Sequence, residues 1–329
     1  MLKIGVIGIG SMGKNHVRVC SEIDNIELVG IADINKANAK KIADRFDILT
    51  FFNYKELIKK VDAVIVSTPT VLHYSMVLDA LNAGKHVLVE KPICDDVKKA
   101  EYLVKKANKE KLVLAVGHIE RHNPAVKFVQ KSINNKQFGE IITLGSKRVS
   151  NFPGRIRDTG VIFDLGIHDI DVMRFLAGNI TSVYARTGKF TKTINFEDHA
   201  NIVLNFENKI CGVVEVNWLT PMKVRKLFLT CSKNFVEVDY TSQTVTISSS
   251  SFKTLDEMNL YRTPLDYNIN QVALEKKEPL RNEIEDFIGA IEKGNQPLAS
   301  GEDGVMALHV AHAAVESSKI GKEVKLFDT

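Results

Sequence analysis

Cysteine is scarce in this chain: Cys20, Cys94, Cys211 and Cys231 are all there are among 329 residues. None forms a C-x-x-C pair, which argues against a disulfide framework or a cysteine-based metal centre and suits a reduced, cytoplasmic setting. No apolar run reaches the length that spans a bilayer. No basic segment with an apolar stretch and a cleavage site precedes the first strand-like residues, so neither a membrane anchor nor export is expected. Excess charge is missing too. Lys and Arg number 44 against 40 Asp and Glu, a net charge of +4. That is too little and too dispersed for a nucleic-acid partner, though it suits an anionic small molecule. Internal repeats and long linkers are absent.

What is present is an ordinary globular composition, with 44% hydrophobic and 26% charged residues. The length suits two domains. In the first third, KIGVIGIG, IELVGIAD, AVIVSTP, HVLVEKP and LVLAVGH read as strands buried on both faces, with DILTFF a weaker sixth. Helical patterns at residues 35–46, 71–83 and 95–110 separate most of them. Alternation of this kind implies βαβ units and a doubly wound parallel sheet. Gly84 follows the second of these helices as a C-cap would.

From about residue 122 the texture changes. Residues 161–176 are helical, and period-2 strands follow. Ile202, Leu204 and Phe206 share a face, as do Ile210, Val214, Val216 and Trp218. The pattern predicts an α+β domain with a largely antiparallel open sheet, one face covered by helix. Helical segments at about 281–293 and 301–320 close the chain, and the serine run 248–251 reads as a turn or loop. The expected domains are residues 1–121 and 122–329.

Gly8, Gly10 and Gly13 form G-x-G-x-x-G after a strand and at the start of a helix. Alone the pattern is weak. Asp33, at the end of the next strand, stands where a ribose-binding acid is expected, and this context makes a dinucleotide site the better reading than a mere glycine-rich turn. Ser11 and Met12 complete the loop, and the helix N-terminus offers free N–H groups to a pyrophosphate. The Asp33 carboxylate favours NAD over NADP, although Lys36 is close. Ser67, Thr68 and His73 follow the fourth strand, where an open parallel sheet binds its ligand; Thr70 is also a candidate helix cap.

Glu90-Lys91-Pro92 ends the fifth strand. Core packing explains a lysine there poorly. Its ammonium suits an oxygen on which charge builds. The Lys91–Pro92 bond is a candidate cis peptide. Asp164 and His168 are spaced i, i+4 in a helical pattern, so they share a face.

G-x-G-x-x-G, Glu90-Lys91-Pro92 and the segment GVIFDLGIHDID together resemble the glucose–fructose oxidoreductase/inositol dehydrogenase (Gfo/Idh/MocA) family along essentially the whole chain. The resemblance implies a Rossmann domain, a C-terminal α/β domain and a nicotinamide cofactor that takes hydride from a secondary carbinol. It maps the family's catalytic lysine, aspartate and histidine to Lys91, Asp164 and His168, and adds Glu90 and Lys91 to the cofactor contacts. GHIERHNPAV and FPGRIRDTG resemble the group within that family that oxidises the 3-hydroxyl of UDP-N-acetylglucosamine. Arg121, Lys147, Arg148, Arg155 and Arg157 are then candidate diphosphate donors, and Asn123 a partner for sugar hydroxyls. Each basic residue, taken singly, also fits a solvated surface. An inositol or free-sugar dehydrogenase, an NAD-assisted elimination enzyme and a non-catalytic NAD-sensing regulator are the competing readings. His118 and His122 lack a third ligand, and no metal is expected. Relatives are commonly homodimers or homotetramers.

Overall fold

The computed structural model describes residues 1–154, 159–252 and 265–327. The chain divides into two compact units, Met1–His122 with Glu278–His309, and Asn123–Lys277 with Val310–Thr329.

In the first unit the strands are β1 (Leu2–Ile7), β2 (Ile26–Ala32), β3 (Leu49–Phe51), β4 (Ala63–Val66), β5 (His86–Glu90) and β6 (Leu114–Gly117). Helices α1 (Ser11–Ser21), α2 (Lys36–Phe46), α3 (Tyr54–Ile58), α4 (Thr70–Asn82) and α5 (Val97–Glu110) connect them. The sheet order is β3-β2-β1-β4-β5-β6, with every pairing parallel. This is a Rossmann sheet, and its order reverses between β1 and β4, where a ligand crevice opens beyond the strand ends. The apolar runs are explained by burial on both faces: Ile4, Val6, Ile65, Val87 and Val89 are all inaccessible to solvent. Asn35 and Asp96 cap α2 and α5 through their side chains. Gly84 follows α4 with φ +71°. Thr70 is no cap; it lies in the first turn of α4 and Pro69 holds the capping position.

In the second unit, α6 (Pro124–Asn134) and α7 (Ile167–Ala177) accompany a sheet of nine strands: β7 (Ile141–Asn151), β8 (Ile180–Gly188), β9 (His199–Phe206), β10 (Cys211–Asn217), β11 (Leu219–Cys231), β12 (Phe235–Asp239), β13 (Thr244–Phe252), β14 (Leu265–Val272) and β15 (Val324–Lys325). All its pairings are antiparallel except that of β7 with β10. The inner face carries Ile202, Leu204, Val214, Val216 and Trp218, buried with residues of α6 and α7. Val213, Phe228, Phe235 and Ile269 belong to the other face; Val213 is 44% exposed and Phe235 42%. There Phe228 stacks on Phe235 with ring centroids 6.2 Å apart.

Two expectations need correction. Ser248–Ser251 is not a turn but part of β13, paired with β14 throughout. Ladder pairing with β14 holds it, with Ser248 also paired to Phe235 of β12. The last helices are also not simply part of the second domain. Helix α8 (Pro279–Lys293) buries Leu280, Ile284, Phe287 and Ile288 in the core of the first unit, with Ile4, Ile31 and Leu88. The unit boundary falls inside α9 (Gly301–Ile320). An amphipathic stripe shows that a helix buries one face, not which core receives it. Among the described residues, no helix is long and apolar enough to cross a membrane.

Candidate active site

The loop after β1 is glycine-rich because backbone crowds it. At Gly8, with φ +88°, a Cβ would lie 2.5 Å from the Ser67 carbonyl oxygen. At Gly13 it would lie 1.9 Å from the Gly8 carbonyl oxygen, so α1 can close on β1 only without a side chain there. Gly10 differs: nothing lies within 4 Å of its Cβ position. Open space above a glycine at a helix N-terminus leaves room for a pyrophosphate beside the first-turn N–H groups of Ser11, Met12 and Gly13.

Asp33 braces this loop from the next strand. Its Oδ2 accepts the Ile9 N–H at 2.6 Å and its Oδ1 the Asn35 N–H at 2.7 Å. The carboxylate keeps further lone pairs for ribose hydroxyls. Ile34 beside it is 90% exposed. The glycine cradle and this acid fit NAD.

Ser67 and Thr68 lie half-buried at the end of β4, next to Gly8. His73 does not line open space. It is buried, with Nδ1 2.8 Å from the Pro92 carbonyl oxygen and Nε2 2.8 Å from that of Thr68. It thus ties together the loops that leave β4 and β5. The Lys91–Pro92 peptide is cis. Lys91 is half-buried, and its N–H donates to Glu90 Oε2 at 3.3 Å. Glu90 Oε1 meets His16 Nε2 at 2.8 Å. Burial alone would raise the Glu90 pKa; contact with His16 and the charges of Lys91 and His73 overcome it and hold the carboxyl below its ordinary value.

In the second unit, Asp164 sits in a π-helical turn, Ile162–Gly166, that runs directly into α7, where His168 is the second residue. Both side chains are half-buried. Single π turns often occur at functional positions. Glu197 receives this segment: its carbonyl accepts Val161 N–H at 3.1 Å, and its Oε1 accepts Ile162 N–H at 3.3 Å. Phe163 packs edge-on against His312, with centroids 4.9 Å apart. Asp169 is fully buried and takes Arg148 Nε at 2.6 Å, which anchors α7 to β7.

Several proposed substrate contacts have partners inside their own unit. Arg148 lies over the Tyr240 ring and is bound to Asp169, so it is no open diphosphate donor. Arg121 is buried, with Nη1 3.0 Å from Asp303 and donating to the Leu298 carbonyl. Asn123 is buried; it caps α6 by accepting Ala125 N–H and donates to the Tyr240 carbonyl. Lys147 pairs with Glu215 across the exposed sheet face. These are bracing contacts. Arg155 and Arg157 lie outside the described residues. Among the described residues, Phe152, Thr159, Thr193, Asn195, Phe196 and Trp218 line a cavity of about 330 Å³. Phe152 and Trp218 meet edge to face there, at 5.5 Å.

Residues 2–118 match the family model for the NAD-binding Rossmann fold of GFO/IDH/MocA oxidoreductases, and residues 126–237 match the model for the C-terminal domain of the same family. The chain belongs to the Gfo/Idh/MocA family. It is 30% identical to the UDP-N-acetylglucosamine 3-dehydrogenase of Acidithiobacillus ferrooxidans, over 96% of both chains. A solved structure of that enzyme aligns with TM-score 0.86 at 28% identity, over 97% of this chain and 98% of the other. The inositol 2-dehydrogenase of Rhizobium meliloti is 29% identical over 99% of each chain. A levoglucosan dehydrogenase solved with NADH shares the fold, with TM-score 0.86 at 19% identity over the whole of both chains.

As a Gfo/Idh/MocA protein, this chain is an oxidoreductase with an NAD-binding Rossmann fold. Glycine spacing announced this Rossmann unit in the sequence; His16 and Glu197 did not announce themselves, since an isolated histidine or glutamate carries no spacing signal.

Proposed function

We propose that the protein oxidises a secondary hydroxyl of a nucleotide sugar with NAD, and that its substrate is UDP-N-acetylglucosamine, oxidised at the 3-hydroxyl to the 3-keto sugar. The similarity to the Acidithiobacillus enzyme along 96% of both chains carries this reading. The cavity beside Phe152 and Trp218 supports it, because paired aromatics with Thr and Asn at the rim suit a planar base or a sugar face.

In this reading bound NAD would supply the hydride acceptor. His168, supported by Asp164, takes the hydroxyl proton, and Lys91 stabilises the oxygen as charge develops. Gly8, Gly10, Ser11, Met12, Gly13, Asp33, Ser67 and Thr68 hold the cofactor. Glu90 and His73 keep Lys91 and its loop in place. Arg155 and Arg157 remain the diphosphate ligands of choice, while Arg121 and Asn123 brace the substrate region.

The test is incubation with NAD and a panel of nucleotide sugars and cyclitols, with NADH absorbance and mass spectrometry of the sugar read together. UDP-N-acetylglucosamine should lose two hydrogens as NADH forms. Turnover of myo-inositol with none of the nucleotide sugar would favour the second reading, an inositol dehydrogenase, which rests on the Rhizobium relative. A sugar product formed with no net NADH would point instead to elimination through a transient ketone.

A further inference from the structure

The described residues that line the cavity at Phe152 and Trp218 all belong to the second unit. Four consecutive residues, 193–196, form one side of it. They lie on the connection between β8 and β9, which is tied down towards both ends. Asp198 Oδ2 accepts the N–H of Phe190 at 2.9 Å and that of Thr191 at 2.6 Å. The Glu197 carbonyl accepts Val161 N–H at 3.1 Å and its Oε1 accepts Ile162 N–H at 3.3 Å, which joins the connection to the π turn that carries Asp164. Gly160 permits this approach, because a Cβ there would lie 2.0 Å from Glu197 Oε1. Thr159, one residue earlier, lines the cavity as well. The Asp198 carbonyl accepts Trp218 N–H at 2.9 Å, so the tryptophan is held by the same staple. The wall is thus shaped before any ligand arrives, as in most small-molecule sites.

The chemistry of the wall narrows the occupant. Among the described residues that line it none is ionisable, and Thr159, Thr193 and Asn195 supply the polar side chains. Such a wall does not suit a diphosphate, whose oxygens call for cations or several N–H donors. A cyclitol or free sugar carries a hydroxyl on nearly every ring carbon, more than three polar side chains satisfy. A volume of about 330 Å³ is small for a ligand pocket and suits one part of a nucleotide sugar. The apolar part of the wall is aromatic. Phe152 and Trp218 meet at 75° and make a corner. Trp218, 3% exposed, is its floor, while half-buried Phe152 and the more open Phe196 offer accessible rings. Nucleobases stack on aromatic rings of this kind.

We propose that this cavity is a nucleobase site: it takes the uracil ring of a uridine nucleotide against Phe152, with Trp218 as the floor and Asn195 reading the ring's edge. The proposal rests on the nucleotide-sugar reading and names the part of that substrate the cavity takes. Uracil has flat apolar faces and an edge on which an N–H stands between two carbonyls. The Asn195 amide carries a donor and an acceptor side by side, which meet that N–H and one carbonyl together.

Trp218 is the sole tryptophan among 329 residues, so its fluorescence reports on this cavity. UDP added to the full chain in the presence of NAD should change that emission saturably; pyrophosphate and ribose 5-phosphate, which lack the base, should not. Calorimetry of the same titrations supplies Kd whether or not the emission responds. Asn195 is exposed, so its variants should fold. Asn195→Ala should raise Kd for UDP about tenfold, the combined worth of two ordinary hydrogen bonds. Asn195→Asp sets a carboxylate against a uracil carbonyl but can accept from the amino group that cytosine carries there, so preference should shift from UDP towards CDP by about the same factor. Failure of UDP to bind, equal UDP affinity in wild type and Asn195→Ala, or a saturable response to myo-inositol or N-acetylglucosamine in place of UDP overturns the proposal. None of these readouts needs turnover. Base binding that depends on Asn195, with no oxidation of UDP-N-acetylglucosamine, would strike down the proposed reaction and leave the nucleobase site standing. Oxidation with UDP affinity untouched by Asn195→Ala would do the reverse.

Discussion

Asp33 accepts N–H bonds from Ile9 and Asn35, which shape the loop, and in the proposed reading its remaining lone pairs take the ribose hydroxyls. Asp33→Ala should therefore weaken NAD by the loss of charged hydrogen bonds, about 1.5–3 kcal/mol, or roughly tenfold or more in Kd. NADP, whose 2′-phosphate the carboxylate repels, should lose far less. Fluorescence titration with both cofactors checks this, and an unchanged NAD:NADP ratio would remove Asp33 from the ribose site. Lys91→Ala should lower kcat by about 10²–10³-fold while NAD still binds, the usual consequence of deleting a donor to a developing oxyanion. A loss confined to KM would show that Lys91 only helps to hold the substrate. At this scale the sequence was readable where spacing carried a geometric rule, as with Gly8 and Gly13. It was silent about Arg121 and Asn123, whose partners, Asp303 and Tyr240, are remote in the chain. A donor looks the same in sequence whether it waits for a ligand or already holds a carboxylate.

Helix α8 shows what an element can hide. Its apolar stripe was evident, but the core that accepts it was not. Phe287 is wholly buried there, so Phe287→Ala should cost about 3–5 kcal/mol, read as a lower denaturant midpoint, and NAD should restore part of it by mass action. A change below about 1 kcal/mol would mean that the helix is not integral to the Rossmann core. The segment before β9 depends on Asp198. Burial alone would raise the pKa of that carboxyl; N–H bonds from Thr191 and Phe190 and the contact with His199 outweigh it and bring it down to about 2. A depressed pKa contributes stability that is present above 3.8 and lost as the pH falls towards about 2. Asp198→Asn should remove that acid-sensitive part, so the stability of wild type and variant should converge at low pH; parallel curves would show that the carboxylate is not the staple. The π turn at Asp164 was hidden for a related reason. A single turn of five residues, Ile162–Gly166, is too short for its apolar spacing to separate a π turn from an α-helix.

At the level of the whole molecule, the exposed face of the nine-stranded sheet presents Val213, Phe228, Phe235 and Ile269, with the ion pairs Lys147–Glu215 and Lys226–Glu237 among them. Apolar surface rimmed by charge suits self-association, and a homodimer or homotetramer through this face is the proposed assembly. Phe235→Glu should lower the mass measured by light scattering to that of a single 36.7 kDa chain. An unchanged mass, or a wild type that is already monomeric, would dismiss the face as the contact. The doubly wound half of the fold was legible because most of its strands are buried on both faces and separated by helix signals; β3, with Leu49 53% exposed, gave the weakest run. The boundary was not, because the first unit recruits Glu278–His309 after the whole of Asn123–Lys277 has been laid down. The ribosome meets this order of events directly. While residues 1–122 leave the exit tunnel, the groove that Phe287 and Ile284 will fill stays uncovered, so the nascent nucleotide-binding half must wait for the intervening domain to emerge before it can close, and a transcript cut short before α8 should yield a product prone to chaperone capture.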